Sequence, residues 1–199
     1  MTNGDSAAAY EPLISHLSAD IGRDIRAIRQ SKGMTLAEMA DKLGRSVGFL
    51  SQVERGLSEL STQDLRQVAQ LFDVSLSWFL VLSDVSDEER GRITRSGLRR
   101  MSGEGEGGLA EELLSPDLSG SYEVLRSVFA PGARLSEPTL RMTEETAYMV
   151  AGELDIRIGA RAFTVRAGDS FRFKEEEFYW ENNTSETAVA IWVVSPPIY

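Results

Sequence analysis

Cysteine is absent from the chain, which excludes disulfides, thiolate nucleophiles and cysteine-based zinc sites together. Histidine is nearly absent: the single one, His16, lies near the N-terminus. No apolar run approaches the length needed to cross a bilayer, and the opening MTNGDSAAAY has neither a basic start nor an apolar stretch. These absences lead us to expect a cytoplasmic protein with no membrane partner. What is present is ordinary for a globular protein: 199 residues, 42% hydrophobic and 26% charged, enough for one or two domains with real cores.

A formal net charge of −10 argues at first against a nucleic-acid partner. The charge is unevenly spread, however. Residues 19–83 hold eight Lys or Arg and eight Asp or Glu, so this span is neutral and the excess acid lies outside it. A neutral module still binds phosphates if its basic residues share one face, because screening makes the local patch matter more than the total.

That neutral span reads as helical. Ile21, Ile25 and Ile28 fall on one stripe of residues 20–32, closed by Gly33. TLAEMADKLG opens with a capping box of Thr35 and Glu38 and ends at Gly44, with Met39, Ala40 and Leu43 inward. After Arg45 alone, Ser46 caps VGFLSQVER, whose buried stripe is Leu50 and Val53 and whose end is Gly56. Ser61 caps a fourth helix carrying Leu65, Val68, Ala69 and Phe72, and SLSWFL gives a short fifth with Trp78 and Phe79 as core plugs.

Five short helices with a tight turn between the second and third make a helix-turn-helix module. The elements LAEMA, SQVERG and VSLSWFL resemble the Cro/CI, or XRE-type, DNA-binding domain over about sixty residues. That resemblance implies a third helix in the major groove of duplex DNA. Val47, Gly48, Ser51 and Gln52 would take the base-facing positions, with Arg45, Ser46 and Arg55 suited to phosphates. Gln52 has the amide for a bidentate contact to adenine, Val47 the methyls for a thymine, and Gly48 lets the backbone come close. Leu36 stands where this family commonly has a phosphate-binding glutamine, so one backbone contact is expected to be missing.

Beyond residue 83 the character changes. SDVSDEERGRITRSGLRRMSGEGEGG is charged and then glycine-rich, with RITRSGLRR as a candidate strand and SGEGEGG as a flexible loop. From residue 121 the period becomes two: YEVLRSVF ends at APG; Leu154, Ile156 and Ile158 alternate with Glu153, Asp155 and Arg157; Phe163 and Val165 resume after Gly159. The expected organisation is an N-terminal extension (1–18), the helix-turn-helix domain (19–83), a linker holding a first barrel strand (84–108) and a β domain (109–199).

Gly132, Glu145, YMVAGEL, RAGDSFRF and Asn183 resemble the two motifs of the cupin fold, a small jelly-roll β-barrel. The two halves together resemble XRE–cupin transcriptional regulators, so the fold class expected is α+β, multidomain. Many cupins hold a metal with two histidines, a glutamate and a third histidine. By spacing, these positions fall here at Thr139, Arg141, Glu145 and Tyr179, none a histidine. A lone carboxylate makes no closed transition-metal site, so no metal or other cofactor is expected.

The inward set Thr139, Arg141, Glu145 and Tyr179 is instead read in two ways. It is an internal salt bridge filling the old site, or a pocket for a small anionic or zwitterionic metabolite, with a polyamine as competitor. Tyr148 is expected at the rim or surface, and Trp180 and Trp192 as packing aromatics. The function expected is a ligand-responsive, sequence-specific regulator, dimeric through the barrel on a palindromic operator. The alternative is a metal-free, isomerase-like cupin enzyme using Glu145 and Tyr179 as acid and base.

Overall fold

In a computed structural model the chain divides into two compact units, residues 1–93 with 117–119 and 199, and residues 94–116 with 120–198. The structure describes residues 7–81, 85, 86, 88–104 and 106–199; for 7–17, 102–104 and 106 only the backbone is described. Residues 1–6 of the expected extension, the His16 side chain and residues 82–84, where the helical domain was expected to give way to the linker, lie outside this set.

The first unit holds five helices: α1 (Ala7–Ser31), α2 (Leu36–Leu43), α3 (Val47–Glu54), α4 (Thr62–Phe72) and α5 (Ser77–Leu80). Thr35 accepts from the Glu38 amide while Glu38 reaches back to the Thr35 amide, the reciprocal box the sequence announces. Ser46 and Ser61 cap α3 and α4 by accepting from the amides of Phe49 and Asp64. Ile25, Ile28, Met39, Leu50, Val68, Phe72 and Phe79 are at most 1% exposed and form the core. Gly22 lets α1 meet α3, since a Cβ there would sit 2.1 Å from the Val53 carbonyl oxygen. One boundary differs from expectation. α1 runs 25 residues from Ala7 rather than starting near residue 20, so residues 7–18 extend the first helix; the strong helix formers Ala7–Ala9 carry it upstream.

The second unit is two facing antiparallel sheets. The strands are β1 (Met101–Glu104), β2 (Leu109–Leu113), β3 (Glu123–Phe129), β4 (Thr139–Leu140), β5 (Glu144–Ala151), β6 (Glu153–Ile158), β7 (Arg161–Arg166), β8 (Ser170–Lys174), β9 (Glu177–Glu181) and β10 (Ala188–Ser195). One sheet has the order β1-β2-β3-β10-β5-β8 and the other β4-β9-β6-β7. Alternation puts Leu154, Ile156, Ala188, Ala190 and Val194 inside. Phe173 stacks on Phe178 at 4.3 Å between centroids, and Trp180 meets Phe129 edge-on at 4.6 Å, closing the two sheets on each other.

Three readings of this half need correction. RITRSGLRR is not a strand: it runs as a turn and a short 3-10 segment at Ser96–Leu98, and β1 starts after it at Met101. The glycine-rich stretch is not wholly loop, because its beginning pairs with β2. The barrel unit therefore reaches back to residue 94. Phe163 and Val165 share one face of β7, but Phe163 is 47% exposed whereas Val165 is buried, so only Val165 packs into the core.

Candidate functional site

α3 presents its polar side outward. Arg45, Ser46, Val47, Gly48, Gln52 and Arg55 are exposed, and Ser51 is half-buried. A Cβ added at Gly48 would meet nothing within 4 Å, so the helix surface there is open to an approaching partner. The side chains already have different local engagements. Arg45 is not free-swinging: its Nε and Nη2 lie 2.9 and 2.5 Å from Oδ1 of Asp64, at the start of α4. The Ser61 hydroxyl, then Arg45, hold the Asp64 carboxyl below its ordinary range. Arg55 returns one hydrogen bond to the Ser51 carbonyl at 3.1 Å. Behind this face, Arg29 of α1 clasps the buried Glu54 of α3 with two bonds of 2.6 and 2.9 Å and also donates to the Met34 carbonyl. The fork geometry sets how the outward helix sits on its scaffold.

The β unit holds a cavity of about 70 Å³ among Glu111, Leu125, Phe129, Thr139, Arg141, Glu145, Phe178, Trp180, Trp192 and their neighbours. Three of the four expected effector residues, Thr139, Arg141 and Glu145, line it; Tyr179 does not. On β9 the buried residues are Phe178 and Trp180, so Tyr179 points to the other face, with Arg157 5.2 Å over its ring and Glu181 3.4 Å from its hydroxyl. The slip has an identifiable cause. Tyr179 stands four residues before Asn183 of the second motif, which is exposed and bonds Asp155. The buried anchor is Asn182, fully enclosed, whose Nδ2 donates to the carbonyls of Phe129, Ala130 and Glu186. Counted from Asn182, the same position is Phe178, which faces the cavity.

Thr139, Arg141, Glu145 and Phe178 offer a hydroxyl, a guanidinium, one carboxylate and a phenyl ring. That donor set does not fit a transition metal. Among the described residues no group of three His, Cys, Asp or Glu is placed to hold one.

Arg141 and Glu145 meet only loosely, at 4.0 Å, with the arginine side chain 48% exposed and the glutamate 6%. The close partner of Glu145 is the Thr143 hydroxyl, at 2.8 Å. Two further carboxyls were not anticipated. Glu111 lines the cavity and accepts from Ser127 at 2.7 Å, and Glu123 is buried across Val194 from Glu145. Burial raises both above the ordinary carboxylate range, Glu123 to about 7; Ser127 opposes this for Glu111 and the Ile198 amide for Glu123. Glu145 pushes both further up, while Arg141 draws both down. A signal existed in the sequence: Glu111 stands between Leu109 and Leu113 at period two, and Glu123 starts the inward series Leu125, Ser127, Phe129. Trp180 and Trp192 are buried, and both also form cavity wall; Tyr148 is half exposed on the outer face.

The exposed reading helix and the two-sheet barrel define a DNA-binding transcriptional regulator built from a helix-turn-helix domain and a cupin domain. The helix-turn-helix family model matches residues 25–79 and the cupin domain model residues 125–194. The chain belongs to the XRE-type helix-turn-helix regulators that carry a cupin domain. It is 32% identical over 76 residues to the transcriptional regulator ClgR of Mycobacterium tuberculosis, covering 38% of this chain and 68% of that one. With the HTH-type transcriptional regulator PuuR of Escherichia coli it shares 22% identity over 165 residues, 82% of this chain and 88% of that one. A helix-turn-helix transcriptional regulator from Vibrio cholerae superposes over 92% of this chain and 99% of its own at 18% identity and a TM-score of 0.42, too low to add to the argument. No helix among the described residues is long and apolar enough to cross a membrane.

Proposed function

We propose that this regulator is a cytoplasmic, sequence-specific DNA-binding protein that works as a homodimer on a palindromic operator and senses a small polar metabolite in its metal-free barrel. The observation that carries the first part is the open face of α3, with Gln52, Gly48 and Val47 outward on a helix clasped from behind by Arg29 and Glu54. A single short helix per chain reads too few bases for high affinity, which favours two copies about 34 Å apart. Binding-site selection with the full chain tests this: a palindrome with a fixed half-site spacing is expected, and absence of any preference overturns the reading. Arg55→Ala should weaken all sequences alike and lower the salt slope by about 1.

The sensing part rests on the cavity. Of the described residues lining the cavity, Glu111 and Glu145 are the carboxylates and Arg141 the guanidinium, which is too far from Glu145 to satisfy it by a hydrogen bond. An interior so acidic is a poor host for a purely anionic ligand. Arg141 at the rim still offers a rigid fork for a carboxylate. The arrangement therefore supports a small zwitterion, its ammonium toward Glu111 and Glu145 and its carboxylate toward Arg141. A thermal-shift screen identifies the effector. Arg141→Glu should abolish the response to an acid-bearing effector and Glu145→Gln the response to an amine-bearing one, a polyamine answering to the second variant alone. Unchanged calorimetric affinity in both variants places the site elsewhere. The enzyme alternative loses its acid–base pair, because Tyr179 and Glu145 do not share the cavity.

A further inference from the structure

Gln52 is held by the loop that follows its own helix. α3 ends in a left-handed turn at Gly56, φ +70°, where the Leu57 amide donates to the Gln52 carbonyl at 2.8 Å and the Gly56 amide to Val53 at 2.8 Å. This is a Schellman closure, in which the chain folds back over the last turn of the helix. The turn packs closely on α1, where a Cβ at Gly56 would lie 2.7 Å from the Cα of Ala19. The reversal brings Ser58 back over Gln52, where its hydroxyl donates to the side-chain Oε1 at 2.9 Å. Both the backbone and the amide of Gln52 are thereby tied to one short loop, GLS.

We infer that Ser58 is a positioning residue for base readout, holding the Gln52 amide in one rotamer and one plane before DNA arrives. This deepens the DNA-reading role of Gln52 and rests on it. A glutamine free in solvent turns about its last torsion, and its oxygen and nitrogen exchange places. Adenine asks for an acceptor and a donor in fixed order along the major groove, whereas guanine offers two acceptors. A free amide suits either purine after turning, at the cost of ordering a rotamer-rich side chain on binding. Ser58 holds the amide in one rotamer and one plane, so less freedom is lost on docking; its hydroxyl donates to Oε1 and can equally accept from Nε2–H, so the choice between purines stays with Gln52 itself. The affinity contributed at this position is then set in part by a residue that touches no base.

The test is binding-site selection followed by titration of purine-swapped operators, using the full chain as wild type, Gln52→Ala, Ser58→Ala, Ser58→Val and Ser58→Thr. Gln52→Ala should flatten the preference at one base pair. Ser58→Ala and Ser58→Val should weaken operator binding several-fold while leaving the base preferred at that pair unchanged. Ser58→Thr, which keeps the hydroxyl, should behave as wild type. Non-specific affinity, its salt slope and the melting curve should not change in any Ser58 variant; a merely structural role for Ser58 would move these. If Gln52→Ala flattens the pair while both hydroxyl-free variants bind the operator with wild-type affinity, the role of Ser58 is refuted and that of Gln52 stands. If Gln52→Ala changes no base preference, both are refuted.

Discussion

In the helical half, the guanidinium of Arg29 lies 2.6 and 2.9 Å from the two oxygens of Glu54. In the β half, Arg141 comes no nearer than 4.0 Å to Glu145, and Glu111 and Glu123 add two more acids to the same interior. The first arrangement is closed: each charge has a partner of opposite sign with fork-to-fork geometry. The second is open: among the described residues lining its cavity Glu111 and Glu145 face Arg141, and burial raises Glu111 and Glu123. A pair closed in this way braces a surface that must keep its shape. An interior so arranged carries a desolvation cost that its own arginine does not offset.

Breaking the closed pair should have the largest effect. Glu54→Ala leaves Arg29 buried without its counter-ion and should destabilise the helical unit by about 3–5 kcal/mol, read from urea melts by circular dichroism. An apolar replacement of both partners should recover most of that loss, because desolvating the pair is itself costly; a double variant as unstable as the single would refute the bracing account. The open interior should behave oppositely. Glu123 is raised from 4.5 to about 7, so folding favours its protonated form. Its stability contribution is full below the ordinary carboxylate range and is lost as pH rises through about 7. Glu123→Gln should therefore match wild type near pH 4 and exceed it at pH 8 by on the order of 3 kcal/mol. A variant less stable than wild type at pH 8 would show that the carboxylate is well satisfied. The smallest effect belongs to a cap: Ser61→Ala removes the acceptor for the Asp64 amide and a bond that helps fix Arg45, costing about 1 kcal/mol in a thermal melt.

The same contrast explains what could be read from the sequence. The capped starts of α2, α3 and α4 were legible residue by residue, because Thr35, Ser46 and Ser61 act on amides three positions away and the rule is local, whereas the start of α1 was not. The barrel as a class was also legible, from period-two alternation and turn glycines. Its interior was less so. A strand's face is fixed by register, and moving the count by one residue exchanges inside for outside; Asn182 and Asn183 stand side by side, and choosing the exposed one sent Tyr179 inward in place of Phe178. Glu111 escaped notice for a different reason. Period two in LAEEL marks its face, but that this face closes on the cavity depends on the pairing of β2 with β3 and β1, a long-range fact.

One feature of the sheet bears on how the molecule is made. β10 lies between β3 and β5, at the centre of the six-stranded order, yet the ribosome synthesises it after the other nine strands. Until it emerges, β3 and β5 each carry an unpaired edge, and the carbonyls of Phe129 and Ala130 wait for Asn182, more than fifty residues downstream. The helical half closes through contacts over a few tens of residues and can fold while translation continues. The barrel has to wait for its last strand, so a chain stalled before Ala188 carries a folded DNA-reading head beside an aggregation-prone, open sheet.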